Sequence, residues 1–234
     1  MRFITVAVGV AVLVQCGSFA HAQFDDVLLH QGPDRLFGLT TDTAWRQSNG
    51  EITSSLVADD FRLAVDSSAC GLNWFGFYGA DATGPFVIDP PVTETVRVQI
   101  QADQAGLPGD VLWEQTYVDP HRVRTGHQIA VFPIRDEFEW SVALPGCFAA
   151  TANTTYWISI AQIGDPESRM RWESARFSDG THANQFPIGA PWTLVGNYGM
   201  AFELRRTPEP STAFALAVGA MLSSRHRGHA EVSR

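Results

Sequence analysis

The chain has 234 residues, 45% of them hydrophobic and 18% charged, which is a globular composition and excludes a disordered polar chain. Its net charge is −9, and residues 23–207 alone set 23 acidic residues against 12 Arg, a net −11. A phosphate backbone would be repelled by that surface, so no nucleic acid is expected as a partner.

The front end reads as a signal peptide over residues 1–22. A positive charge at Arg2 is followed by an apolar run from Phe3 to Val14, then by small residues ending Ala20–His21–Ala22 before Gln23. This order is the n-region, h-region and A-x-A site that signal peptidase cleaves, here after Ala22. The apolar run is too short for a membrane span. Cys16 follows a polar Gln15 and fits a lipobox poorly.

Residues 23–55 are expected to be an irregular N-terminal segment or an edge strand. From 56 to 207, apolar residues recur mostly with period two in short runs broken by Gly, Pro, Asp and Asn, the pattern of strands. About nine are expected: 56–63, 72–78, 96–100, 111–118, 128–134, 137–144, 156–160, 169–173 and 200–204. The clearest alternation sets Phe138, Trp140, Val142 and Leu144 against Glu137, Glu139, Ser141 and Ala143. Gly106–Leu107–Pro108–Gly109 reads as a turn between two strands. Many short strands with regular turns predict an all-β fold, a single antiparallel, jelly-roll-like β-sandwich, with a closed barrel as the alternative.

After Arg206 the chain reads Pro208–Glu209–Pro210, an apolar stretch from Ala213 to Leu222 expected to be a short helix, then Arg225 and Arg227. This tail, 208–234, resembles the PEP-CTERM sorting signal of Gram-negative bacteria. The resemblance implies transient inner-membrane anchoring through a positive-inside Arg cluster and removal by an exosortase-type membrane protease. It also implies an exported protein of the cell surface, outer envelope or extracellular matrix, with exopolysaccharide as a partner. The apolar stretch is shorter than the ~20 residues that span a bilayer.

The motifs Val57–Ala58–Asp59–Asp60–Phe61, Trp74–Phe75–Gly76–Phe77–Tyr78, Gly106–Leu107–Pro108–Gly109 and Tyr156–Trp157–Ile158–Ser159–Ile160 are similar to a loosely defined β-sandwich of secreted PEP-CTERM proteins, especially of planctomycete type. That resemblance implies fold and location and transfers no catalytic residue.

Three cysteines occur, and with Cys16 in the signal segment the mature chain keeps Cys70 and Cys147. Oxidising conditions outside the cytoplasm favour a disulfide between them, and two free buried thiols are the alternative.

No catalytic motif stands out. His30, His121, His127 and His182 lack zinc spacing, although His121 and His127 flank an expected loop and could meet a metal with Asp119. No G-x-S-x-G elbow is present. Glu114, Glu137, Glu139 and Glu173 are the carboxylates a glycosidase would need, yet Glu137 and Glu139 read as a solvated outer face. No cofactor is expected. A structural calcium is compatible with Asp25–Asp26, Asp59–Asp60 and Asp103 with Asp110, none at EF-hand spacing. The seven Trp (45, 74, 113, 140, 157, 172 and 192) fit core packing, or a sugar-stacking face if they line one sheet. The leading expectation is a non-catalytic envelope or matrix protein; a carbohydrate-binding module and a glycoside hydrolase are the alternatives.

Overall fold

The computed structural model describes residues 26–46, 52–79, 90–130, 134–164, 169–175, 181–196 and 198–206. The signal segment with Ala20, Ala22 and Gln23, and the tail with Pro208, Glu209, Pro210, Arg225, Arg227 and the expected apolar helix, lie outside the described residues.

Among the described residues fourteen strands follow one another: β1 Val27–Gln31, β2 Pro33–Thr40, β3 Asp42–Arg46, β4 Ile52–Arg62, β5 Ser67–Gly79, β6 Thr95–Asp103 and β7 Pro108–Val118. They continue with β8 His121–Ile129, β9 Arg135–Ala150, β10 Thr155–Gln162, β11 Arg169–Ala175, β12 Thr181–Gln185, β13 Thr193–Gly196 and β14 Phe202–Arg205. There is no helix among the described residues.

The strands form two sheets of seven, and the sheets pack face to face as a β-sandwich. In the first, β5 is the centre: β9 and then β8 lie on one side, and β14–β1 and β11–β2 share the other. The second runs β13-β12-β4-β3-β10-β6-β7. All pairings are antiparallel except the β10–β3 contact at Gln162 and Asp42.

Alternation along each strand sends every second side chain into the space between the sheets. Leu72, Trp74, Trp140, Met170, Trp172, Phe202 and Leu204 of the first sheet meet Val96, Val98, Ile100, Ile158 and Ile160 of the second, all fully buried. Trp74 and Trp140 stack with ring centroids 5.8 Å apart and 4° between planes. The expected turn at Gly106 is a hairpin loop in which Gln104 and Leu107 exchange backbone hydrogen bonds, with Gly106 at φ 82°.

Three expectations change. Residues 27–46 hold three strands, β1 and β2 at edges of the first sheet and β3 in the second, where the sequence suggested an irregular segment or one edge strand. The eighth strand spans 121–129, where the sequence suggested one over 128–134; it lies at the sheet edge, exposed along most of its length, so its residues show little apolar alternation. β12 and β13 complete the second sheet where no strand was expected, because β12 is mostly polar and β13 is a short, largely exposed edge.

Cys70 and Cys147 form a disulfide between neighbouring strands β5 and β9. It lies where β9 bulges, between the pairs Ala69↔Phe148 and Gly71↔Ala143, with Gly146 and Cys147 at φ 75° and 53°.

Candidate functional site

The face of the first sheet turned away from the core is not a solvated surface. The sheet curls until its edge strands meet, and the backbone N–H of Ala130, just after β8, donates to the carbonyl of Arg35 on β2 at 3.0 Å. The side chains inside this curl are Phe75 and Phe77 of β5, Glu137 and Glu139 of β9, and Arg169, Arg171 and Glu173 of β11.

Glu137 is therefore 1% exposed, where the sequence suggested a solvated position. Alternation identifies which side chains avoid the core, but it is silent about what covers the other side. Here the start of β2 does so, and Arg35 Nε donates to Glu137 Oε2 at 3.0 Å. Glu139 is half-buried and accepts from Asn73 Nδ2 at 2.5 Å. Burial, aided by the charges of Glu203 and Glu137, raises its pKa against that hydrogen bond and Arg205.

Glu173 is fully buried, and no donor meets either of its carboxylate oxygens with full hydrogen-bond geometry, the Arg35 amide being the backbone donor directed at it. Burial and then the charge of Glu137 push its pKa up to about 8; Asp34 adds to this, and the Arg35 amide and guanidinium oppose it. A carboxyl in such a place is held neutral at pH 7. A glycosidase needs two carboxyls facing a substrate groove. Glu137 and Glu173 influence each other but are closed to a sugar, while Glu114 lies on β7 of the other sheet, accepting from Gln99 Nε2 at 2.5 Å.

A second polar centre joins the sheets at Glu94, just before β6. Its carboxylate accepts from Tyr78 Oη at 2.6 Å, Trp140 Nε1 at 2.7 Å and Arg122 Nη1 at 2.9 Å. Arg122 also donates to the Tyr78 hydroxyl. Burial, followed by the charge of Glu94, raises the Tyr78 pKa well above the ordinary phenol value. Sequence reading missed this cluster because its members lie at 78, 94, 122 and 140, with no local motif.

Residues 29–218 match the family described as a domain of unknown function, DUF7901. The chain belongs to the DUF7901 family. No curated protein and no solved structure matches it.

The matched span opens inside β1, so the family's unit takes in the first three strands as well as the later ones. In this DUF7901 chain His121 and His127, which the sequence allowed to meet at a metal with Asp119, belong to no metal-holding group among the described residues. The two lie six residues apart along β8, on either side of the bulge between Arg124 and Gln128. Asp119 Oδ1 instead accepts from the backbone of Glu94 at 2.8 Å. His182 is 1% exposed, and its Nδ1 meets the Tyr198 carbonyl at 2.9 Å. His30 pairs with Glu203 at 2.5 Å.

The Asp pairs considered for calcium serve internal bonds. Asp59 Oδ2 accepts from the Met200 amide at 2.8 Å, and Asp60 Oδ1 accepts from Thr181 Oγ1 at 3.2 Å. Asp103 takes Trp157 Nε1 at 2.9 Å and the Gly106 amide at 3.2 Å. Asp110 is exposed on β7, and Asp25 lies outside the described residues. No group of three or more His, Cys, Asp or Glu among the described residues is placed to hold a metal ion.

Four of the seven Trp, at 74, 140, 157 and 172, are buried and so unavailable for stacking on a sugar. Trp157 is on the outer face of the second sheet, where it packs with Ala58 and Ala183 beneath Leu107 and Trp192.

Proposed function

We propose that this DUF7901 chain is a non-catalytic exported protein of the cell envelope or extracellular matrix, sorted through its 208–234 tail. The observation that carries this reading is the disulfide. Cys70 is buried, the bond joins neighbouring strands, and a pairing of this kind persists in an oxidising, extracellular compartment. The removable front segment and the Pro208–Glu209–Pro210 tail with Arg225 and Arg227 supply a route there, with signal peptidase and an exosortase-type protease as transient partners. The buried carboxylates support a non-catalytic role, since Glu94 and Glu137 are engaged with cations inside the fold and Glu173 is sealed.

The test is intact-mass analysis of the protein from fractions of its native host, with and without reductant. The expected product begins at Gln23, lacks residues 211–234, carries one disulfide and is found in the envelope or medium. Full-length protein in the cytoplasm with free thiols would overturn the reading.

A further inference from the structure

Among the described residues, Arg171 is a cation that no carboxylate answers. It lies on the face of β11 turned away from the core, two residues from Arg169, and the strand register sets Arg169 opposite Gly79 of β5. Continuing the β5–β9 register beyond Gly76↔Phe138 brings Arg135 level with Gly79 from the other side. Three arginines therefore border one glycine in the sheet register.

Gly79 leaves the space that Arg171 uses. A Cβ there would fall inside contact distance of Arg171 Nε and 3.0 Å from its Cδ. Phe77, 2% exposed, occupies the row below, with Arg171 on one side and Glu137 level with it on the other. The acidic part of the curl is thus set apart from the basic part by an aromatic side chain. The Arg171 side chain makes no hydrogen bond or ion pair with any described residue, whereas Arg135 and Arg169 hold contacts of their own. Burial, with the positive charges of Arg169 and Arg135, disfavours the charged form of Arg171. Exposure rises from Arg169, which is buried, to Arg171 and Arg135, which are partly open, so the cluster is reached from outside.

In a chain of net charge −9, a cationic focus of this kind is unusual. The guanidinium fork matches the geometry of a carboxylate, sulfate or phosphate, and a partly desolvated site strengthens such bonds. We propose that Arg135, Arg169 and Arg171, grouped around Gly79, bind an oxyanion, either as the acidic group of a polysaccharide or as a free inorganic ion. An anion placed there relieves the repulsion among the three cations and gives Arg171 a partner.

The experiment is titration calorimetry on the full chain with polygalacturonate, dextran sulfate, inorganic sulfate, inorganic phosphate and neutral dextran. It compares the parent with Arg171→Ala and with Arg124→Ala, a change at an exposed ion pair on β8. At least tenfold weaker anion binding in R171A, with R124A unchanged, is expected. Removing one cation from among three should leave the thermal midpoint of R171A equal to the parent's or higher, which separates lost binding from lost folding. Binding of the polymers alone, lost in R171A, supports the site and makes acidic polysaccharide its ligand. Binding of the free ions as well, also lost in R171A, supports the site and makes the oxyanion itself the ligand. Anion binding equal in parent and R171A, equal binding of neutral dextran, or no binding of any anion would overturn the proposal. None of these outcomes bears on how the tail is processed, which the mass analysis reads separately.

Discussion

Replacing Glu173 by glutamine probes the sealed carboxyl directly. In the unfolded chain this group ionises near its ordinary value of 4.5, and in the fold its pKa is pushed up to about 8. The native state therefore holds a proton that the unfolded state releases across that interval, and stability falls as pH rises through it. At about 1.4 kcal/mol per tenfold change, the loss accumulates to about 5 kcal/mol above pH 8. The amide of E173Q would carry no charge at any pH and would nearly match the shape of the protonated acid.

The expected stability advantage of E173Q is thus under about 1 kcal/mol at pH 4 and several kcal/mol at pH 9, growing mainly between pH 4.5 and 8. Urea unfolding followed through the buried Trp74, Trp140 and Trp172 would measure it at pH 4, 6, 8 and 9. Taking the difference between variant and parent cancels the titration of the other groups. A difference that does not change with pH would refute the assignment of a retained proton to Glu173.

Glu94→Ala strands two buried donors and the Arg122 charge, and it should cost about 3–5 kcal/mol in urea unfolding. Cys70→Ala with Cys147→Ala opens a cross-link between residues 77 apart, and chain entropy puts the loss at about 4 kcal/mol. The same shift in midpoint should follow when reductant is added to the parent. Gly76→Ala places a methyl group against the Arg171 carbonyl and 3.3 Å from the Trp140 ring. With backbone as the obstacle, β5 and β11 must part, and a loss of about 3 kcal/mol or more in thermal or urea unfolding is expected. An Asp136→Ala change at the exposed Arg124 pair should move stability by less than about 0.5 kcal/mol.

The strands that supply the core were legible because alternation alone reveals them. Phe138, Trp140, Val142 and Leu144 are buried as that pattern requires, and the cysteine pair is joined. β8 escaped because an edge strand needs little apolar content, and β1 to β3 because their alternation is weak. The charged interior of the first sheet was misread for a different reason. A period of two separates the two faces of a strand, whereas the curl that hides the second face depends on where Arg35 meets Ala130, 95 positions along the chain. Arg135, Arg169 and Arg171 become neighbours only through the strand between them, so no local spacing announces them.

β14 is the last strand among the described residues and also an internal one, lying between β1 and β5. A chain that emerges from its N-terminal end must present the thirteen other described strands before residue 205 arrives to fill that gap. Until then Leu72 and Trp74 lack Phe202 and Leu204 beside them, and part of the β5 edge stays open to other strands. Closure of the first sheet is therefore timed by the last of the described strands. A nascent chain stalled short of Phe202 would be left as a sticky intermediate and not as a smaller version of the fold.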